Sequence, residues 1–445
     1  MGPHETHKKV MDMSEEEDIA NWNGVNLYKV RDQRQPVKLE ELNADKLRSE
    51  IEPWLTALFQ SEHLSLLLGG GISSALHWMA KNEAGAGMAQ IPFSAFKEQI
   101  ERASKESALK SGRGEPNIED QIRVCNELIT GLGIYVSEDV YGCKKIRKNL
   151  SKFEGELESG LADFANLILK CEYNIIHADN AEAAAEYLMN FLISFASRSA
   201  TRERLNIFTT NYDRIIEYGS ELAGIRLIDR FVGSVNPVFR SSRMEVDMHY
   251  NPPGIRGEPR YLEGVVQFSK LHGSLDWNAK DGIVRRYALP YGADDIGRYL
   301  EEGCKNLLIY PNAAKDKETS EYPYVELFRD FAASVCRANS TVVVYGYSFG
   351  DDHINRVIAD MLTIPSTHLV IISFDDQGDR IRHFYERVKR PAQISLLIGG
   401  HFGDLKSLVD NYLPKPAIDR TTIKMADLLK SRGIAAPHSD HSQGE

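Results

Sequence analysis

Short apolar runs that stop abruptly at glycine or polar residues set the rhythm of this chain. The first is LSLLLGGGISSAL, a run of leucines, three glycines and then helix-like spacing. It predicts a buried strand, a tight turn and a helix N-terminus. The pattern returns later in LNIFTTNYD, VVQFSKLHG, NLLIYPNA, STVVVYGYSFGDD, THLVIISFDD and AQISLLIGGHFG. Runs this apolar predict strands buried on both faces, as in a parallel sheet. Several lead into helical spacing, so the expected class is α/β, with a Rossmann-like, doubly wound, mostly parallel sheet. Between the first run and the rest, residues 92–199 read as a helical insertion. There NIEDQIRVCNELITGL offers Asn117 as an N-cap. Residues 179–197 predict a further helix, with Asp179 as cap, Glu182 three residues on, and Leu188, Phe191, Leu192 and Phe195 on one face. Residues 51–61 predict a short helix, and WNGVNLYKV (Trp22 to Val30) can add a strand.

Composition narrows the class. The chain has 445 residues, 42% of them apolar, enough for a substantial core. We expect a flexible acidic arm over 1–45, one large domain over 46–412 carrying the insertion, and a tail over 413–445 with a short helix. A net charge of −11 argues against general nucleic-acid binding, and no apolar run approaches a bilayer span. The five cysteines stand far apart with no CxxC pair, which fits reduced thiols and removes the usual zinc-ribbon reading. The first residues lack the apolar core of a signal peptide, so a cytoplasmic location is expected.

In open parallel α/β sheets, ligands sit beyond the carboxyl ends of the strands, so what each run ends in matters most. The first ends in Gly69, Gly70, Gly71, Ile72 and Ser73. Glycine allows close backbone approach and the helix start offers free N–H groups, which suits a pyrophosphate; a plain connecting turn explains the same residues. The second ends in Thr209, Thr210, Asn211, Tyr212 and Asp213. Asn211 and Asp213 can face one ligand, Asp213 accepting from a carboxamide and Asn211 orienting a water or ribose hydroxyl, or they can simply cap the next helix. The third ends in His272 and Gly273, a candidate general base or a structural histidine. The fourth, Gly346-Tyr347-Ser348-Phe349-Gly350-Asp351-Asp352-His353, is either a ligand turn or a turn before an Asp-capped helix.

Taken in order, these four motifs resemble the sirtuin family, with its GAGxS loop, TxNxD motif, HG pair and late G-x-S turn. The resemblance spans about Leu64 to Leu408. The wording is similar to a bacterial sirtuin-like branch of anti-phage defence, in Asn117-Ile118-Glu119-Asp120, in Tyr310-Pro311 with Lys315, and in the turn running on to Ile354-Asn355. The resemblance implies NAD as substrate and no zinc. The four-cysteine zinc module of deacylating sirtuins is missing, and Ala75-Leu76-His77-Trp78 stands where they carry Gly-Ile-Pro-Asp-Phe. It implies an NAD glycohydrolase (NADase) rather than a peptide deacetylase. The catalytic set would be Asn211, His272 and Asp213, with cofactor binding by Gly69, Gly70, Gly71, Ser73, Thr209, Gly346, Ser348 and Asp375. Ser373 and Gly400–Gly403 are looser candidates for the adenosine end. It further implies a homo-oligomer, joined through the insertion or the terminal arms. The expected activating partner is a HerA-type hexameric ATPase, with a short Argonaute as the alternative.

Two other readings stay open. Gly346-Tyr347-Ser348-Phe349-Gly350 also matches a G-x-S-x-G nucleophile elbow, and Ser348, Asp375 and His401 follow the chain order of a serine hydrolase. The third is a non-catalytic subunit that senses NAD or ADP-ribose.

Overall fold

A computed structural model describes residues 22–416 apart from 32, 84, 86–89, 111–113, 138–142, 200, 243–247, 251–259, 299–306 and 310–321. The chain begins with β1 (Asn26–Lys29), β2 (Val37–Leu39), α1 (Ala44–Phe59), β3 (His63–Leu68) and α2 (Gly70–Lys81). Four helices follow: α3 (Lys97–Lys110), α4 (Ile118–Ser137), α5 (Cys143–His177) and α6 (Ala181–Ala196). Next come β4 (Asn206–Thr209), α7 (Ile215–Leu222), β5 (Arg226–Ile228), β6 (Phe231–Val232), β7 (Val238–Phe239), β8 (His249–Tyr250) and β9 (Arg260–Tyr261). They lead to β10 (Val265–Lys270), β11 (Gly273–Lys280), β12 (Ile283–Arg286) and β13 (Leu307–Ile309). The last part holds α8 (Tyr324–Val335), β14 (Ser340–Tyr345), α9 (Asp352–Met361), β15 (His368–Ser373), α10 (Arg380–Val388), β16 (Ile394–Ile398), α11 (Gly400–Gly403) and α12 (Leu405–Asn411).

Nine strands form the central sheet in the order β2-β1-β16-β15-β14-β3-β4-β10-β5. From β16 to β5 every pairing is parallel; β1 runs antiparallel beside β16, and β2, antiparallel to β1, completes the edge. Alternate residues of each strand feed two cores, one on each face. Leu64, Leu66 and Leu68 pack with Ile51, Leu76, Phe191 and Ile215 from α1, α2, α6 and α7. Leu67, Val342 and Val344 pack with Phe331, Ile354, Ile358 and Ile381 from α8, α9 and α10. The α/β class and the doubly wound, mostly parallel sheet are therefore as the hydrophobic pattern predicts.

Three local expectations need correction. The run NLLIYPNA predicts a main-sheet strand, yet β13 pairs antiparallel with β11 in a second sheet, ordered β13-β11-β12-β7-β6. An apolar run shows that a strand is buried but not which sheet buries it. The helix expected over 51–61 starts earlier, at Ala44, because Asn43 Oδ1 accepts from Lys46 N at 3.0 Å and caps it there. Asp179 does not cap α6: Asn180 holds that position, without a side-chain bond.

The helices α3, α4 and α5 have a core of their own, with Ile100, Ile122, Cys125, Phe153, Leu157 and Phe164 buried together. Asn117 and Asp120 close the start of α4 reciprocally, Asn117 Oδ1 accepting from Asp120 N at 3.2 Å and Asp120 Oδ2 from Asn117 N at 3.1 Å. Among the described residues no helix is long and apolar enough to cross a membrane. The tail helix expected beyond residue 416, the acidic arm before Trp22, and Tyr310, Pro311 and Lys315 lie outside the described residues.

One histidine gives this fold a pH dependence. Trp54 Nε1 donates to Ser395 Oγ at 2.9 Å, and that oxygen lies 2.8 Å from His368 Nε2. Indole, hydroxyl and imidazole thus form one hydrogen-bonded run. Burial, helped by the charge of Lys29, pushes the His368 pKa from 6.5 down to about 4. The unfolded chain then binds the extra proton first, so stability falls as pH drops below about 6.5 and levels off near 4. Urea unfolding between those limits should show a loss on the order of 2–3 kcal/mol. His368→Gln should flatten that slope; an unchanged slope would show that His368 is not its source.

Candidate active site

Four neighbouring strands end in register. Tyr345 pairs with Leu68, Leu68 with Thr209, and Thr209 with Lys270. The four motifs of the sequence therefore leave the sheet side by side, from β14, β3, β4 and β10. The chain winds from β3 outward to β4 and β10, then returns to β14 on the other side of β3. That reversal is a topological switch point, where such sheets open a crevice for ligands.

At the switch point the glycines are explained first by backbone packing. A Cβ on Gly69 would stand 2.5 Å from Gly346 O, and one on Gly71 would stand 2.5 Å from Gly346 Cα. Gly346 itself has φ +62, where a side chain is strained. Only Gly70 of the three faces open space, with no atom within 4 Å of its added Cβ. The helix α2 starts at that glycine, and in its first turn Gly71 N donates to Gly346 O at 2.9 Å and Ile72 N to Gly69 O at 3.2 Å.

Asn211 ties the first two motifs together. Its Nδ2 donates to Gly69 O at 3.1 Å and to Ser73 Oγ at 3.0 Å. A carbonyl can only accept, so the amide orientation is fixed and Asn211 Oδ1 is turned away from both. Ser73 Oγ in turn donates to Asp213 Oδ2 at 2.6 Å. The result is a directed chain, Asn211 to Ser73 to Asp213, across the ends of β3 and β4. Thr209 serves the backbone: its Oγ1 donates to Leu68 O at 3.0 Å and accepts from Asn211 N at 3.1 Å. Asp213 Oδ1 also accepts from Ile215 N at 3.2 Å, so the capping role and the site role coexist in one carboxylate. A carboxylate has about four acceptor positions, which leaves room for a donor from a ligand.

His272 follows β10. Its Nε2 lies 2.8 Å from Asp351 Oδ2, and its ring stands 6.4 Å from that of Tyr212. Ser348 sits in the turn after β14, its Oγ 3.3 Å from where a Cβ on Gly350 would lie. The outer pair is less engaged. Ser373 Oγ donates to Asp375 O at 2.8 Å, and Asp375 is exposed at the end of β15. Gly403 packs directly on the Phe374 backbone, so it spaces α11 from β15 and has no opening toward a base. The serine-hydrolase order is not assembled. His401 places Nε2 on Tyr412 OH at 2.5 Å and Nδ1 on Ser407 Oγ at 3.3 Å.

Three residues absent from the expected set support the site. Lys270, 1% exposed, reaches Asp213 O and lies 3.1 Å from Glu217 Oε1, so it pins the Asn211–Asp213 turn from below. A lysine closing an apolar strand was the available signal, since a buried charge requires partners. Glu172 on α5 accepts from Arg214 N at 2.8 Å and pairs with the Arg214 guanidinium at 2.5 Å. Asp351 partners His272. Nothing local in the chain gives the partners of these last two, which meet residues 42 and 79 positions away. Among the described residues no group of three or more His, Cys, Asp or Glu side chains is placed to hold a metal.

Residues 205–390 match the family model described as "SIR2-like domain". That stretch, under half of the chain, contains the second, third and fourth motifs. A solved structure described as Sir2 with deacetylated p53 peptide and 3'-o-acetyl ADP ribose is 11% identical. It aligns over 80% of this chain and 95% of its own, with a TM-score of 0.31. No curated protein matches the chain.

Proposed function

We propose that the protein is an NAD glycohydrolase, cleaving NAD and water to nicotinamide and ADP-ribose. The observation that carries this reading is the hydrogen-bonded chain Asn211–Ser73–Asp213, placed beside His272 at four aligned strand ends. The SIR2-like match over 205–390 supports NAD as the substrate. The C–N bond between ribose and nicotinamide breaks, its electron pair goes to the pyridinium nitrogen, and neutral nicotinamide leaves an oxocarbenium-like ribose. Asp213 holds the carboxamide, and the pyrophosphate lies over Gly70 and the start of α2. Asn211 Oδ1 accepts from the attacking water or a ribose hydroxyl. His272 takes the proton that water loses, which then passes to solvent.

The reading extends to control. Residues 46–412 form the catalytic domain, and the insertion serves contacts in a homo-oligomer. An unrestrained NADase would exhaust its own cell, so a partner supplies the trigger. The motif wording supports an anti-phage role beside a HerA-type ATPase, and a short Argonaute is the other candidate. Incubation with NAD, with and without the ATPase, should release nicotinamide and ADP-ribose in equal amounts, faster in the complex. The chain should carry no stoichiometric zinc and should not deacetylate lysine peptides. Fluorophosphonate labelling of Ser348 would instead support a hydrolase, and NAD binding without turnover in any complex would support a sensing subunit.

A further inference from the structure

Asp351 closes the start of α9, and for that role Ser, Thr or Asn would serve as well as Asp. One oxygen does the capping: Oδ1 accepts from His353 N at 3.0 Å and Ile354 N at 3.4 Å. Its backbone is held as well, since Tyr347 OH donates to Asp351 O at 3.1 Å. The residue is 3% exposed, so its carboxylate is buried with a fixed orientation. Capping does not account for the second oxygen. Oδ2 is aimed at the His272 ring and meets Nε2 at 2.8 Å. That ring stands 6.4 Å from the Tyr212 ring and 6.5 Å from the Phe328 ring.

We propose that Asp351 is a positioning residue that sets the tautomer of His272: it holds the proton on Nε2, so that Nδ1 carries the lone pair that acts as base. A carboxylate only accepts, so a neutral ring facing it must present Nε2–H. The helix cap fixes the carboxylate, and the carboxylate fixes the ring. The start of α9 thereby sets which nitrogen of His272 can take a proton. This rests on the proposed function only for the use made of Nδ1; the pairing itself stands on the geometry.

Asp351→Asn separates the two roles. The two N–H groups of the cap need an acceptor, so the amide oxygen must take the place of Oδ1. The amide N–H₂ then faces His272 and favours a ring with Nε2 unprotonated and the proton on Nδ1. The helix stays capped while the tautomer inverts. Histidine-selective ¹⁵N labelling with long-range ¹H–¹⁵N spectra at about pH 8 reads this directly. The His272 signals are those lost in His272→Gln. The wild-type chain should show the Nε2–H pattern and Asp351→Asn the Nδ1–H pattern. In parallel, kcat for nicotinamide release should fall about 100-fold with KM within about twofold. The melting temperature should stay near wild type, whereas Asp351→Ala, which also loses the cap, should melt lower. A wild-type Nδ1–H pattern, or an Asp351→Asn enzyme with unchanged kcat, would overturn the proposal. If the wild type releases no nicotinamide under any condition, the proposed function fails, and the two spectra still decide whether Asp351 sets the tautomer.

Discussion

Asn211→Ala and His272→Ala are each expected to lower nicotinamide release from NAD by about 100- to 10,000-fold while the chain remains folded. The two losses arise differently. Alanine at 211 removes the group placed to orient water or ribose, and it also strips donors from Gly69 O and Ser73 Oγ. That variant should therefore lose about 1 kcal/mol of stability as well, because Gly69 O and Ser73 Oγ each lose one of two partners. At 272 the loss is chemical, and His272→Gln is the sharper control. Its amide can still donate to Asp351 Oδ2, so packing and pairing survive without a base. Activity is measured by nicotinamide release and folding by thermal melting. Full turnover in either alanine variant would remove these residues from the mechanism.

Glu172→Ala should be the most destabilising single change near the site, by about 3–5 kcal/mol in urea unfolding. The Glu172 side chain is 0% exposed and that of Arg214 is 9% exposed. Removing the carboxylate leaves a buried guanidinium without its paired charge and an Arg214 N–H without its acceptor. Replacing both partners, as Glu172→Met with Arg214→Met, should recover part of the loss, since two apolar groups leave no uncompensated charge. Recovery should be incomplete because Arg214 also donates to Leu289 O and to Pro290 O, the latter at 3.0 Å. NAD cleavage should fall in the single variant, since Asp213 adjoins the residue that Glu172 anchors. A single variant as stable as wild type would show that the pair is dispensable.

The parallel sheet and the four strand ends were legible because each depends on a local pattern: apolar runs buried on both faces, then glycine, Asn, Asp or His where the strand stops. The second sheet also had a local sign. Asp281 and Gly282, both at positive φ, sit between β11 and β12, and an Asp-Gly pair between alternating runs marks a tight hairpin. The reading over NLLIYPNA went astray because burial alone does not choose between two sheets. What no local pattern carries is the support. Asp351 shows a capping pattern that is complete without His272, and Glu172 is one acidic residue among many on a long helix. Their second partners are set by how α9 and α5 are brought to the sheet. The glycines were legible as glycines, and of the two reasons offered for them the structure shows the packing of a tight turn. Gly69, Gly71 and Gly346 admit each other's backbone before they admit a ligand.

Tyr212 stands between Asn211 and Asp213, yet its ring belongs to the core of α3, α4 and α5, edge-on to Phe164 at 6.0 Å. Its carbonyl meanwhile accepts from Leu275 N at 3.0 Å, one strand beyond His272. One residue thus joins the packing of the three helices to the turn that carries Asn211 and Asp213, which makes linkage between the two places a measurable expectation. Any molecule that binds the three helices more tightly in one packing than in another shifts the free energy of occupying the crevice. By reciprocity, if NAD binds at the strand ends as proposed, it should change the affinity of that molecule for the helices by the same factor. A titration of a partner against the chain, with and without saturating NAD, would measure that factor at equilibrium, even in a His272→Ala variant that no longer turns over.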